Sequence, residues 1–240
     1  MNAKSPPKTP LSLAERLVVA LDVSDIDGAK ALVDDLADMG LVFKIGYHSL
    51  FSGGLELAQD LARQGLKVFL DAKLYDIPAT VEGGTRALAQ HGFWCMTAHA
   101  QAQNIAGAVK GAEGTAMKIL GVTVLTSMTQ GDLAADGLAQ DLAAQVRTRA
   151  GQALGAGAHG LIASPHEARD LRNAFGSGPL LITPGVRPAG SAAGDQARIM
   201  TPAQAIAAGA DALVIGRPIV QAAHPSDMAQ QVLDEISSAL

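Results

Sequence analysis

Short apolar runs rich in Val, Ile and Leu alternate along the chain with longer Ala- and Leu-rich segments whose apolar positions recur every three or four residues. Eight runs predict strands: 17–23 (LVVALDV), 41–47 (LVFKIGY), 67–73 (KVFLDAK), 93–99 (FWCMTAH), 118–126 (KILGVTVLT), 160–164 (GLIAS), 180–185 (LLITPG) and 212–217 (ALVIGR). Between them, 29–39, 55–64, 80–90 and 141–154 predict helices. The unit repeats about every thirty residues, the length of a strand with its crossover helix.

Strands that are apolar almost throughout, rather than alternating, belong to parallel sheets covered by helices. Eight such units in 240 residues predict a closed (β/α)8 TIM barrel, whose usual length is ~250 residues. An open doubly wound sheet also holds eight strands. It usually carries a glycine-rich turn after its first strand, where this chain reads LDVSDIDG. No linker divides the chain, so 13–240 is expected to form a single catalytic barrel. Residues 1–12 predict a flexible tail; the opening MNAKSPPKTP has no apolar stretch of the kind a secretory signal needs.

Composition narrows the function. A net charge of −5 with 3% aromatics and no basic block argues against a nucleic-acid surface. Local Lys and Arg can still gather round an anionic small molecule. No apolar run approaches the ~18 residues of a membrane span. Cys95 is the single cysteine, which rules out an internal disulfide and predicts a reducing, cytoplasmic setting. Its apolar neighbours make it a small buried hydrophobe.

In a (β/α)8 barrel the reacting groups collect at the C-terminal ends of the strands. The polar exceptions fall there: Asp22, Lys44, Asp71 with Lys73, His99, Thr126 with Ser127, Arg187 and Arg217. Asp71 and Lys73, two apart on a strand, share a face. If that face is the interior, they meet Lys44 and Asp22. Alternating charges hold one another ionised in a setting where a lone buried charge is very costly. A purely structural ion-pair network has the same spacing. Asp76 lies beyond the strand, in the turn before Ile77 and Pro78, and is free to point elsewhere.

TPGVRP (183–188) and VIGRP (214–218) carry a second signal. Glycine at a strand end lets the backbone approach an anion, and arginine beside it offers a fork of donors. Loops after strands seven and eight of such barrels often hold phosphate. The histidines show no HExxH pattern or close metal pair, so no metal site is predicted. His99 can reach the pocket but suits a hydrogen-bonded structural role better. His48, His91, His159, His166 and His224 fall in surface or loop positions.

Taken together, VALDV, FKIG, DAKLYDIPATV, VTVLTS, TPGVRP, GDQAR and VIGRP, in that order from about residue 16 to the end, resemble the bacterial single-function orotidine 5′-monophosphate decarboxylases. The resemblance implies a homodimer that converts this nucleotide to uridine 5′-monophosphate and carbon dioxide without cofactor or metal. It makes Lys73 the proton donor to C6, within a charged array completed by Lys44, Asp71 and Asp76. It places Asp76 and Thr80 in the partner's site. Asp22 and Lys44 resemble ribose contacts; Thr126 and Ser127, pyrimidine contacts; Arg187, Gln196, Gly216 and Arg217, the phosphate side. Ile77 falls among the substrate contacts too.

Three positions depart from the pattern. Ala72 stands where Leu is common, Tyr75 where His is frequent, and AQAQ follows His99 in place of a glycine-rich turn. None removes a charged member of the array. Related barrels, the keto-gulonate phosphate decarboxylases and hexulose phosphate synthases, share Asp-x-Lys-x-x-Asp but use a magnesium-stabilised enediolate. Ile77-Pro78-x-Thr80, LTS and GDQAR favour the pyrimidine. A non-catalytic nucleotide-binding barrel is the other alternative, and it has little need of such charge density.

Overall fold

Eight parallel strands close on themselves in chain order, which is the predicted (β/α)8 barrel. The computed structural model describes residues 10–23, 25–188 and 200–240. The strands are β1 (Leu17–Ala20), β2 (Val42–Ile45), β3 (Lys67–Leu74), β4 (Cys95–His99), β5 (Lys118–Val122), β6 (Gly160–Ile162), β7 (Leu180–Pro184) and β8 (Ala212–Ile215). Helices follow them, among them Ile26–Leu36, Leu55–Arg63, Pro78–Ala89, Ala102–Gly111, Leu142–Gly155 and Pro225–Ser237.

Period-two side-chain geometry sorts the strand residues into two cores. Val18, Ala20, Val42, Phe69, Cys95, Leu120, Val122, Ile162, Ile182 and Val214 point inward and fill the barrel. Leu17, Val19, Phe43, Ile45, Val68 and Leu70 point outward, against helix residues such as Val33, Leu57 and Leu61. Both faces are apolar, so the strands read as unbroken runs. Cys95 is fully buried and its thiol is pushed up by desolvation, as a packing residue should be.

Local chemistry sets the helix starts. Pro78 occupies the first turn of Pro78–Ala89, with Ile77 extended ahead of it. The Asp141 carboxylate accepts from the Ala144 N–H at 2.7 Å and caps Leu142–Gly155, a contact worth ~1 kcal/mol. Of the predicted tail, residues 1–9 lie outside the described residues, and Leu11 packs against the inner core. At the N-terminal end of the barrel Arg172 donates to the carbonyls of Gly209, Gly176 and Pro179 and pairs with Asp211. Such contacts tie loops together.

The structure shortens several predicted strands. Ladders end at Ala20, Ile45 and Val122, so Asp22 and Thr126 stand in loops beyond them. Tyr47 opens a short helix, Tyr47–Ser49, rather than finishing a strand. The chain stays apolar past the last ladder bond because these loops fold into the barrel mouth.

Candidate active site

The polar residues of the mouth are organised by an irregularity in β3. Its pairing with β4 runs to Leu70↔Met96 and resumes at Leu74↔Ala98, so β3 carries two more residues than β4 over that stretch. Asp71 and Lys73 lie in this bulge, a device that re-aims side chains. Lys73 has φ 42°, the only positive value among the described non-glycine residues. Such a backbone costs on the order of 1–3 kcal/mol and persists only where its surroundings enforce it.

Those surroundings are specific. The Lys73 N–H donates to Thr97 Oγ1 at 3.0 Å, and Thr97 Oγ1 donates to Asp71 Oδ1 at 2.9 Å. From the other side Tyr47 Oη donates to the Ala72 carbonyl at 2.9 Å. The Lys73 ammonium sits 2.7 Å from Asp71 Oδ2 and 5.8 Å from the centre of the Tyr47 ring. Lys44 Nζ lies 3.6 Å from Asp71 Oδ2 and 3.0 Å from Asp22 Oδ1. The result is a chain of charge, Asp22–Lys44–Asp71–Lys73, formally neutral. Its inner members are buried, Lys44 at 7% exposure and Asp71 at 9%.

Balance makes that burial tolerable. Desolvation raises the Asp71 pKa, but the ammoniums of Lys44 and Lys73, with hydrogen bonds from Lys73 and Thr97, outweigh it and hold the carboxyl below its ordinary range. Asp71 is therefore a carboxylate at neutral pH. Tyr47 moves the other way: burial and the Asp71 charge raise its phenol, which stays protonated and able to donate. Gly46 leaves room for the array, because a Cβ there would lie 2.8 Å from Lys44 Nζ and 3.1 Å from Asp22 Oδ1.

These groups line a cavity of about 800 Å³ at the C-terminal mouth. Ala20, Phe69, Val122, Ile162 and Val214 form its apolar floor, and Asp22, Lys44, Asp71 and Lys73 its charged wall. Thr126, Ser127, Arg187, Gly216 and Arg217 line it as well. Gly185 turns the chain into Val186 and Arg187 with φ 82°, a left-handed conformation that suits glycine.

Other predicted residues stand apart. Asp76, Ile77 and Thr80 are exposed and do not line this cavity in the single chain. The Asp76 carboxylate accepts from the Ile77 N–H at 2.6 Å. Gln196 lies outside the described residues. His99 lines a neighbouring groove with Tyr75, whose ring centre is 5.4 Å from its own. Desolvation, then Arg149 and Lys73, lower the His99 pKa and keep it neutral. Its carbonyl and that of Leu74 both accept from the Asn104 amide.

Sequence reasoning passed over Thr97, Tyr47 and Gly46. A threonine or tyrosine in a predicted strand carries no sign of function. His48, expected as a surface or loop residue, is exposed yet lines the cavity, its Nδ1 3.0 Å from the Asp22 carbonyl. Among the described residues no three His, Cys, Asp or Glu side chains gather as a metal site, and no helix is long and apolar enough to cross a membrane.

Residues 15–232 match the model of the orotidine 5′-phosphate decarboxylase / HUMPS family. The chain belongs to that family. Within the orotidine 5′-phosphate decarboxylase / HUMPS family it is 50% identical over 232 residues to a protein of Afipia carboxidovorans named orotidine 5′-phosphate decarboxylase, covering 97% of this chain and 99% of that one. A protein of the same name from Bradyrhizobium diazoefficiens is 48% identical over 234 residues, covering 97% and 99%. The crystal structure of orotidine 5′-phosphate decarboxylase from Lactobacillus acidophilus superposes with a TM-score of 0.82 at 34% identity, covering 92% of this chain and 99% of that chain.

Proposed function

We propose that this protein is an orotidine 5′-monophosphate decarboxylase, forming uridine 5′-monophosphate and carbon dioxide as the last step of de novo uridine 5′-monophosphate synthesis. The observation that carries the proposal is the Asp22–Lys44–Asp71–Lys73 chain of charge, built into the mouth of a barrel of this family.

The chemistry explains why fixed charge is needed. When the C6–carboxyl bond breaks, its electron pair stays on C6 in an sp² orbital outside the ring π-system. The Lys73 ammonium stabilises that pair and then gives its proton to C6; the neutral amine takes a proton back from solvent. Asp71 holds the ammonium in line through its 2.7 Å contact. It also faces the substrate carboxylate, and that repulsion vanishes as carbon dioxide leaves. Charges that are already oriented need no reorganisation during the reaction, which is the usual source of large electrostatic catalysis.

The remaining roles follow the cavity wall. Asp22 and Lys44 take the ribose, Thr126 and Ser127 the pyrimidine, and Arg187, Gly216 and Arg217 the phosphate; the family resemblance, rather than the wall, adds Gln196 to the phosphate side. Binding a group remote from C6 supplies energy for alignment. Arg217→Ala should raise KM for the monophosphate by on the order of 10²-fold, matching loss of a charge-assisted contact worth about 1.5–3 kcal/mol, while leaving turnover of the bare nucleoside nearly unchanged. Equal losses on both substrates would remove Arg217 from the phosphate site.

The active unit is a homodimer in this proposal, with Asp76, Ile77 and Thr80 completing the partner's site. The exposure of Phe51 (80%), Tyr75 (67%) and Tyr47 (50%), which line one groove, supports it, since large apolar side chains gathered at the surface mark an interaction face. The free, buried Cys95 fits a cytoplasmic setting.

Turnover settles the reaction class. Purified protein, exhaustively treated with a chelator, should consume orotidine 5′-monophosphate at an undiminished rate, read from the loss of its ultraviolet absorbance. Activity that disappears on chelation and returns with magnesium would favour a sugar-phosphate enediolate reaction instead.

A further inference from the structure

We infer that Thr97 is a positioning residue: its hydroxyl fixes both the Asp71 carboxylate and the strained backbone of Lys73, and through them aims the Lys73 ammonium. This inference rests on the decarboxylase function proposed above.

Thr97 is fully buried on β4 and does not line the cavity, so it acts only through its neighbours. Its bonds have a fixed direction. A backbone N–H can only donate, so the Lys73 amide must place its hydrogen on Thr97 Oγ1. The single hydroxyl proton is then committed to Asp71 Oδ1, 2.9 Å away. That leaves the other carboxylate oxygen, Oδ2, for Lys73 Nζ at 2.7 Å and Lys44 Nζ at 3.6 Å. One small side chain thereby divides the labour of the two Asp71 oxygens.

Two freedoms are removed at once. The terminal torsion of an aspartate is broad and soft, so a carboxylate held by one oxygen alone can rotate. Anchoring Oδ1 stops that rotation and keeps Oδ2 between the two ammoniums. The positive φ of Lys73 is likewise enforced by its amide bond to Thr97, on a stretch where ladder pairing with β4 is interrupted. Tyr47 secures the neighbouring Ala72 carbonyl independently, so losing the Thr97 hydroxyl should loosen the array without releasing the whole bulge.

The test compares Thr97→Val, which keeps the shape and removes the hydroxyl, with Thr97→Ser, which keeps the hydroxyl. A displacement near 1 Å at a reacting group lowers rate by about 10²-fold, and that is the expected fall in kcat for Thr97→Val. KM and uridine 5′-monophosphate binding should change little, because the pyrimidine and phosphate contacts lie elsewhere and Lys44 keeps its closer partner, Asp22, at 3.0 Å. Thr97→Ser should recover most of the kcat. If the valine variant does not fold, Thr97→Ala removes the same hydroxyl without adding bulk. A merely structural hydroxyl would lower Tm and leave the kcat of the folded protein alone; that result, or a wild-type kcat in the valine or alanine variant, overturns the inference. Wild-type protein that fails to turn over orotidine 5′-monophosphate overturns the function itself, and this inference with it. An active wild type beside an unaffected variant overturns only the role of Thr97.

Discussion

Lys73→Ala is expected to lower kcat for decarboxylation by at least about 10⁴-fold, equivalent to about 5.4 kcal/mol of barrier. Two losses combine in that figure. A positioned general acid contributes about 10²–10⁴-fold, and an oriented charge at the developing carbanion about 10²–10³-fold. The fold should survive, because the side chain stands at the mouth, 27% exposed, rather than in either core. Product binding should also survive, since the phosphate contacts proposed above lie elsewhere. Circular dichroism and uridine 5′-monophosphate titration check both points. A kcat within about tenfold of wild type would take Lys73 out of the chemical step.

The second large effect is a recovery. Lys73→Ala and Asp76→Ala homodimers should each be nearly inactive if every site combines Lys73 of one chain with Asp76 of the other. Mixing them under exchange makes heterodimers in which one site lacks both residues and the other keeps both. Random pairing gives about half mixed dimers, each with one of two symmetry-related sites intact, so about a quarter of wild-type activity should return. Were Asp76 to act in its own chain, every site would lack one residue and mixing would restore nothing. The structural support for the shared arrangement is the exposed position of Asp76, away from the cavity of its own chain. Exchange verified by mass, without recovered turnover, would end the shared-site proposal.

The barrel was legible in the sequence because a parallel strand packed on both faces has to be apolar on both. The array was legible for the opposite reason: Lys44, Asp71 and Lys73 interrupt runs in which charge has no cheap place. Strand ends were overrun at 46–47 and 123–126, where hydrophobicity continues past the last ladder bond. Thr97 was invisible because threonine is an ordinary strand residue, and its role depends on a slip in register between two strands. Nor does any local pattern announce the positive φ of Lys73, which belongs to the assembled sheet. The roles given to Asp76, Ile77 and Thr80 came from family resemblance alone, since a single chain leaves all three facing outward.

The apolar floor under the array, made by Ala20, Phe69, Val122, Ile162 and Val214, also acts as a plug. It closes the barrel axis, so gas and nucleotide share one doorway at the rim. In the proposed reaction, carbon dioxide freed at C6 would meet packed side chains below it and the bound product above. Traffic becomes a queue, in which the next substrate waits for the previous product to clear the threshold. Release of product is then a step that can set the pace of turnover alongside bond breaking.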